Sequence, residues 1–477
     1  MNPSGRPILL LEINEIPWRL LDHYLAREGF PNLRRFMAGS QTYTTVAVDS
    51  GELSPWVTWP TLHRGMRNDD HGILNLGQDP MTFKGVPIWE EFRGHGRSIG
   101  ICGSMQSWPP SDPGEGGFYI PDTFAHDARC IPAYIEPIQR FNLNQVRRNG
   151  RVVRRQSVFN LETLGLLFSL PKLGIGLATL RETAKQLVGE RLDRTKVARR
   201  PVFQSMLFWD IFKARFHAEN PPAFATFFTN HIAGLMHRYW SHVFPQDFGD
   251  KYAATPKVHS ATMDYGMLFL DRILGDALAF RERNPDLILV FATSMGQAAV
   301  HRDGHEGFAA SIPEVGTLMS LIGLRAEEYK SLLAMVPQVA VEIPDGSSRA
   351  RVRDFLEACI GQGGSPLFSV QENGGTLSIT FKTPKLADIR AGGFHAPSSE
   401  KGRMRRVTWD EAGVVMNETE AGTAYHIPEG ILAVCGSDPE TSDARTRIPA
   451  DQVKGMLMAL GGLASSEKSP GLSLHFV

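Results

Sequence analysis

Four short apolar runs constrain the fold of this chain more than any other feature: ILLLEI near the start, then RSIGICGS, AFATFFTN and DLILVFATS. Each ends in small or polar residues, and each has a helical stretch nearby, such as WRLLDHYL and LRRFM after the first. Runs this uniformly apolar suit strands buried on both faces, and strands alternating with helices build a parallel α/β sheet. Ligands of such a sheet sit beyond the carboxyl ends of its strands. The chemistry is therefore expected at Asn14 and Glu15, Gly103 and Ser104, Thr229 and Asn230, and Thr293 to Gly296.

A length of 477 residues implies two or three modules or one large α/β domain with insertions. Fifty Lys/Arg against fifty-one Asp/Glu, a net charge of −1, removes any whole-chain argument for nucleic-acid binding. Cys102, Cys130, Cys359 and Cys435 form no CxxC pair, so neither a disulfide framework nor a thiolate zinc cluster is expected. The apolar run before Glu12 is too short for a signal peptide. Leu161 to Leu180 is broken by Glu162, Pro171 and Lys172, which argues against a membrane span. A cytoplasmic location is the expectation.

Two segments interrupt the strand–helix alternation. Between Arg140 and Arg215 stand sixteen Lys/Arg and five Asp/Glu in a mostly helical pattern. This is either a solvated helical insertion or a basic cap that gathers an anionic substrate or rests on an anionic surface. From Val336 to Lys385, VPQVAVEI, RVRDFLEACI, LFSV and TLSITFK read as strand, helix, strand, strand, with QENGG as the hairpin turn. The expected division is an α/β core over 1–130, 221–325 and 391–477, a basic helical cap over 131–220, and a small α+β insertion over 326–390.

The densest set of reactive side chains is SPWVTWPTLHRGMRNDDHGILNLG, residues 54–77. Thr58 and Thr61 lie among aromatics and are followed by His63, Arg64, Gly65, His71 and Gly72. A hydroxyl at a helix start beside cationic groups suits attack on phosphorus or carbonyl centres, although Thr is also a common helix cap. The segment resembles the nucleophile region of the alkaline phosphatase superfamily, in its type I phosphodiesterase/nucleotide pyrophosphatase branch. Further ordered likenesses are NEIP after the first run, FPNLRRF, NHIAGLMHRYW at 230–240, AYHIPEGILAVCG at 424–436 and IPADQVKGMLMALGGL.

The resemblance implies a three-layer α/β/α sandwich with a helical cap and a small α+β insertion. Thr61 is favoured as nucleophile, and Thr58 fits the Thr-aromatic-Pro version of the motif. The family's pair of metal ions is held by carboxylates and imidazoles, and here the first Asp becomes Asn14 and the second Asn230. Ser-Asp-His-Gly becomes Thr293, Ser294, Met295 and Gly296, while His237 and His426 survive. Amides and a thioether hold zinc poorly. The expectation is one divalent ion, zinc or manganese, or none, held by His237 and His426 with Asn230, helped by Asn14, Glu12 or His395. His301 and His305 are expected to be surface histidines.

The implied activity is hydrolysis of an anionic phosphate ester through a phospho-threonine, with His63 and Arg64 neutralising charge. The substrate would be a phosphorylated small molecule or polymer precursor. The alternatives are a pseudoenzyme that binds a phosphorylated ligand or partner without turnover, and a group transferase on the same fold.

Overall fold

The computed structural model of the chain describes residues 5–149, 172–249, 259–300, 308–332, 334, 338–382, 386–398, 402–418, 423–436 and 445–463. Residues 150–171 of the expected cap, and His301 and His305, lie outside this set.

The central sheet has eight strands. β1 (Ile8–Ile13), β2 (Ser40–Val46), β3 (Ile99–Cys102), β4 (Phe118–Ile120), β5 (Phe224–Thr229) and β6 (Ile288–Ala292) are joined by strands Leu432–Cys435 and Thr446–Pro449. The order across the sheet is Thr446–Pro449, β2, Leu432–Cys435, β6, β1, β5, β3, β4. All pairings are parallel except those of Leu432–Cys435, which runs against both β2 and β6. The four apolar runs thus became β1, β3, β5 and β6. β1 lies between β5 and β6, strands far away in sequence, and such a point in a parallel sheet opens a crevice beyond the strand ends.

Period-two alternation divides β1 between two cores. Leu9, Leu11 and Ile13 face helices α1 (Trp18–Leu25) and α2 (Pro31–Ala38) and the helices Arg200–Arg215, His231–Val243 and Ser260–Arg283. Ile8 and Leu10 face α3 (Pro55–Arg64) and the helices Ile88–Gly94 and Val453–Leu460. Helices on both faces of the sheet make the α/β/α sandwich. No described helix is long and apolar enough to cross a membrane.

The end of the expected cap belongs to this sandwich. Helix Arg200–Arg215 buries Trp209 and Phe212, whose rings meet Phe227 of β5 at 4.7 and 5.5 Å. Its aromatic content, which the basic count obscured, seats it on the sheet.

The second interruption forms a separate four-stranded antiparallel sheet, ordered Phe368–Asn373, Thr376–Phe381, Gln338–Glu342, Lys330–Leu332, with helix Gly346–Glu357. It has a core of its own around Val341, Leu356, Leu377 and Ile379. The hairpin tip reaches the segment 54–77, where Asn373 Nδ2 donates to the Gly72 carbonyl.

Candidate functional site

The site grows from the carboxyl end of β1. Asn14 and Glu15 leave the strand there, and Glu15 has φ +63°, the left-handed region that non-glycine residues rarely occupy. Strain of this kind persists where the surroundings hold it. Here the surroundings are a set of polar groups closing on a fully buried carboxylate, for Glu15 is only 2% exposed.

Glu15 Oε1 accepts from Asn14 Nδ2 at 2.7 Å, and Oε2 accepts from Gln297 Nε2 at 2.5 Å. Gln297 lies on β7 (Gly296–Ala299), just past the end of β6. Two imidazoles complete the set, with His237 Nε2 3.2 Å and His426 Nε2 3.4 Å from Glu15 Oε2. His237 stands on helix His231–Val243, and His426 on strand Ala424–Ile427, opposite Gln297 in the antiparallel register with β7.

The far sides of both rings are fixed. His237 Nδ1 lies 3.0 Å from the Ala424 carbonyl and His426 Nδ1 lies 2.7 Å from the Leu53 carbonyl. A carbonyl only accepts, so each Nδ1 carries a proton and donates it. In the neutral tautomer each Nε2 would then aim a lone pair at the same carboxylate oxygen. Three electron-rich atoms facing one another need positive charge among them, either a proton or a metal cation. Burial by itself raises the Glu15 pKa, but the charge on His426 and the hydrogen bonds from both imidazoles outweigh it and hold the carboxyl well below its usual range. Burial likewise depresses His426, and the Glu15 carboxylate more than reverses this, leaving its pKa raised.

The donor atoms of Glu15, His237 and His426 lie within 4.8 Å of one another. Two imidazoles and a carboxylate, with the opposite ring nitrogens tied to carbonyls, are a donor set and support suited to a zinc-type divalent ion. One side of the cluster is open, since the His237 side chain is 32% exposed and Asn230 beside it is exposed. Tyr425 stacks on His426 with centroids 4.5 Å apart, and its hydroxyl donates to Glu52 at 2.5 Å.

The remaining expected residues divide into those near this cluster and those away from it. Asn14 is a bridge: its amide also donates to Asn230 Oδ1 at 2.6 Å, and its oxygen accepts from Trp59 Nε1 at 2.8 Å. Thr58, next to Trp59 on α3, pairs its hydroxyl with Ser294 at the end of β6, 2.8 Å away. Thr61 instead meets Asp49 Oδ1 at 2.5 Å and His71 Nε2 at 3.0 Å.

Glu12 is not brought to the cluster. It shares the β1 face of Ile8 and Leu10, and its Oε1 lies 2.6 Å from His63 Nε2. His63 is thereby held away as well, packed between Trp59 and Trp89. Arg64 turns from the crevice to the carbonyls of Lys84 and Gly85, because α3 ends at Gly65 and its last turn faces that loop. His395 lies in the second sheet's module, paired across strands with Arg406. Met295 is fully buried in the core. Gln297 and the Leu53 carbonyl were not anticipated, and Glu15 was anticipated only as a residue at a strand end.

Next to Asn230, the neutral ring of His231 is buried, donates from Nε2 to the Gly266 carbonyl and accepts from the Thr229 hydroxyl at Nδ1, 2.7 Å away. Burial pushes its pKa down to about 4, against the raising effect of the Gly266 bond. The unfolded chain therefore takes up this proton first. The stability that depends on neutral His231 is full above pH ~6.5 and falls as pH drops through ~4, by about 3 kcal/mol in all. Urea midpoints measured across that range should flatten in His231→Leu relative to wild type.

No protein-family model matches the sequence, and no curated protein sequence matches it. Solved structures do share its course. Murine ectonucleotide pyrophosphatase/phosphodiesterase 5 is 12% identical, with a TM-score of 0.42 and 97% of each chain covered. The human form is 11% identical, with a TM-score of 0.43, covering 98% of this chain and 97% of that one. Phosphonoacetate hydrolase from Sinorhizobium meliloti 1021, in complex with phosphonoformate, is 12% identical, with a TM-score of 0.43 and 96% of each chain covered. At such low similarity, function has to be argued from the chemistry of the site.

Proposed function

We propose that the chain is a phosphoester hydrolase of the alkaline phosphatase type, with one divalent ion held by Glu15, His237 and His426 and with Thr58 as nucleophile. The observation that carries this reading is the convergence of two backbone-locked imidazoles on one carboxylate oxygen at the open end of the sheet. A bound ion would supply electrophilic polarisation of a phosphoryl oxygen. Glu15 contributes the negative charge that Asn14 and Asn230 lack, and Asn14 and Gln297 orient its two oxygens. The Thr58 oxygen would bond to phosphorus as the bond to the ester oxygen breaks, the hydroxyl proton passing to the departing oxygen, to give a phospho-threonine that water then cleaves. The substrate would be an anionic phosphorylated small molecule or polymer precursor.

A second reading, a chain that binds a phosphorylated ligand without turnover, is favoured by one observation. Thr58 and Ser294 are both fully buried and bonded to each other rather than to a base. Elemental analysis of protein purified without chelator, with hydrolysis of bis-p-nitrophenyl phosphate assayed with and without zinc or manganese, separates the two. About one ion per chain together with turnover is expected. Absence of both would leave the non-catalytic reading.

A further inference from the structure

Helix Leu177–Leu192 is built inside out. The residues it buries are Thr179, Gln186 and Glu190, all polar. Gln186 Nε2 donates to Glu190 at 2.9 Å and to the Lys196 carbonyl at 2.6 Å, and Glu190 pairs with Arg200 at 2.8 Å. The opposite face displays Leu177 and Leu192, each 85% exposed, and Val188, 62% exposed. A helix on a water-soluble surface normally turns the other way, with its apolar stripe inward.

Helical spacing of about 100° per residue puts Leu177, Arg181, Lys185, Val188, Arg191 and Leu192 on one arc of about 120°. All six are exposed. No acid shares that arc. Glu182 and Glu190, the two acids of the helix, lie elsewhere around it and are paired with Arg272 and Arg200. The face is therefore aliphatic and cationic at once.

From this we infer that helix Leu177–Leu192 docks the protein on an anionic lipid bilayer surface. Aliphatic side chains enter the boundary between headgroups and acyl chains, while Lys and Arg extend to phosphate at the same level. Charge argues against other occupants. A second copy would bring the same cations against these. The chain's own residues 150–171 carry Arg151, Arg154 and Arg155 against a single Glu162. Protein interfaces, in turn, favour aromatic anchors and exclude Lys from their centres, whereas this face has Lys185 among its aliphatics and no aromatic residue. The inference is independent of the hydrolase reading.

The test is co-sedimentation of the full chain with phosphatidylglycerol/phosphatidylcholine vesicles and with phosphatidylcholine alone. Binding is expected only to the anionic vesicles and should weaken in about 1 M salt. The triple variant Leu177→Gln/Val188→Gln/Leu192→Gln and the triple variant Arg181→Glu/Lys185→Glu/Arg191→Glu should each lower partitioning at least about tenfold. Both sets are exposed, so thermal midpoints should stay near wild type, and either set suffices if the other fails to fold. Equal binding to neutral vesicles, no binding by wild type, or a dimer in solution that the aliphatic variant splits would each overturn the proposal.

Discussion

Glu15→Gln is expected to empty the proposed cation site: metal content should fall from about one ion per chain to a small fraction, and hydrolysis should fall with it. Gln has the same size and keeps the neighbours Asn14 and Gln297, so packing is preserved and only charge is lost. Removing a group that merely supports a ligand costs roughly 10–100-fold in metal affinity, and a direct carboxylate ligand should exceed that. With a chelator present, a second effect is exposed. Glu15 is the buried counter-charge of His426, and deleting one partner of a buried pair costs about 3–5 kcal/mol. The Glu15 pKa is held below its unfolded value and that of His426 above its own, so this stabilisation is full between the usual carboxylate and imidazole ranges, and is lost in strong acid as Glu15 protonates and at higher pH as His426 deprotonates. Glu15→Gly takes φ +63° without strain but empties a buried site and removes the acceptor of Asn14 and Gln297, so it should unfold no later than Glu15→Gln and bind no more metal. Full metal content in Glu15→Gln would remove Glu15 from the site.

The sheet was legible in the sequence because strands buried on both faces leave continuous apolar runs, and every residue of β1 and β6 is buried. The strand ends followed from the same signal, which is how Asn14, Glu15, Asn230 and Ser294 were picked out together. Identifying the acid was harder. Glu12 and Glu15 lie three residues apart, and alternation along β1 sends Glu12 to the Leu10 face, where His63 takes it. Only the left-handed turn at Glu15 brings its carboxylate back over the strand end, and nothing in a Glu codon position announces a positive φ. Gln297 was hidden for another reason. It acts through register with His426 across two short strands about 130 residues apart in sequence, a pairing fixed by tertiary contacts rather than local pattern. The Leu53 carbonyl that orients His426 is backbone and leaves no trace in residue identity. His395 shared only its residue type with the site, and its strand belongs to the second sheet's module.

Thr58→Ala and Thr61→Ala should fail in opposite ways. Thr61 is a structural cross-link by its hydrogen-bond accounting. His71 Nδ1 accepts from the Ile73 N–H at 3.0 Å, so the neutral ring, its pKa pushed down to about 4 chiefly by burial, carries its proton on Nε2. That proton is donated to Thr61 Oγ1, while the Thr61 hydroxyl donates to Asp49. His71 is thus a donor to this oxygen and no base for it. Removing the hydroxyl leaves Asp49 and His71 without it, and each buried polar group so orphaned costs about 1–3 kcal/mol. Burial has already raised the Asp49 pKa to about 6 against the bonds from Thr61 and Asn68, and losing Thr61 should raise it further. Turnover per folded molecule should survive. The Thr58 hydroxyl is bonded to Ser294, so Thr58→Ala loses that single hydrogen bond and should leave the thermal midpoint within a few degrees and metal content unchanged while hydrolysis drops by about three orders of magnitude or more. Rates normalised to folded protein, measured beside urea denaturation of both variants, decide the matter. Turnover lost in folded Thr61→Ala and retained in Thr58→Ala would return the nucleophile to Thr61 and require the Asp49–His71 network to open during catalysis.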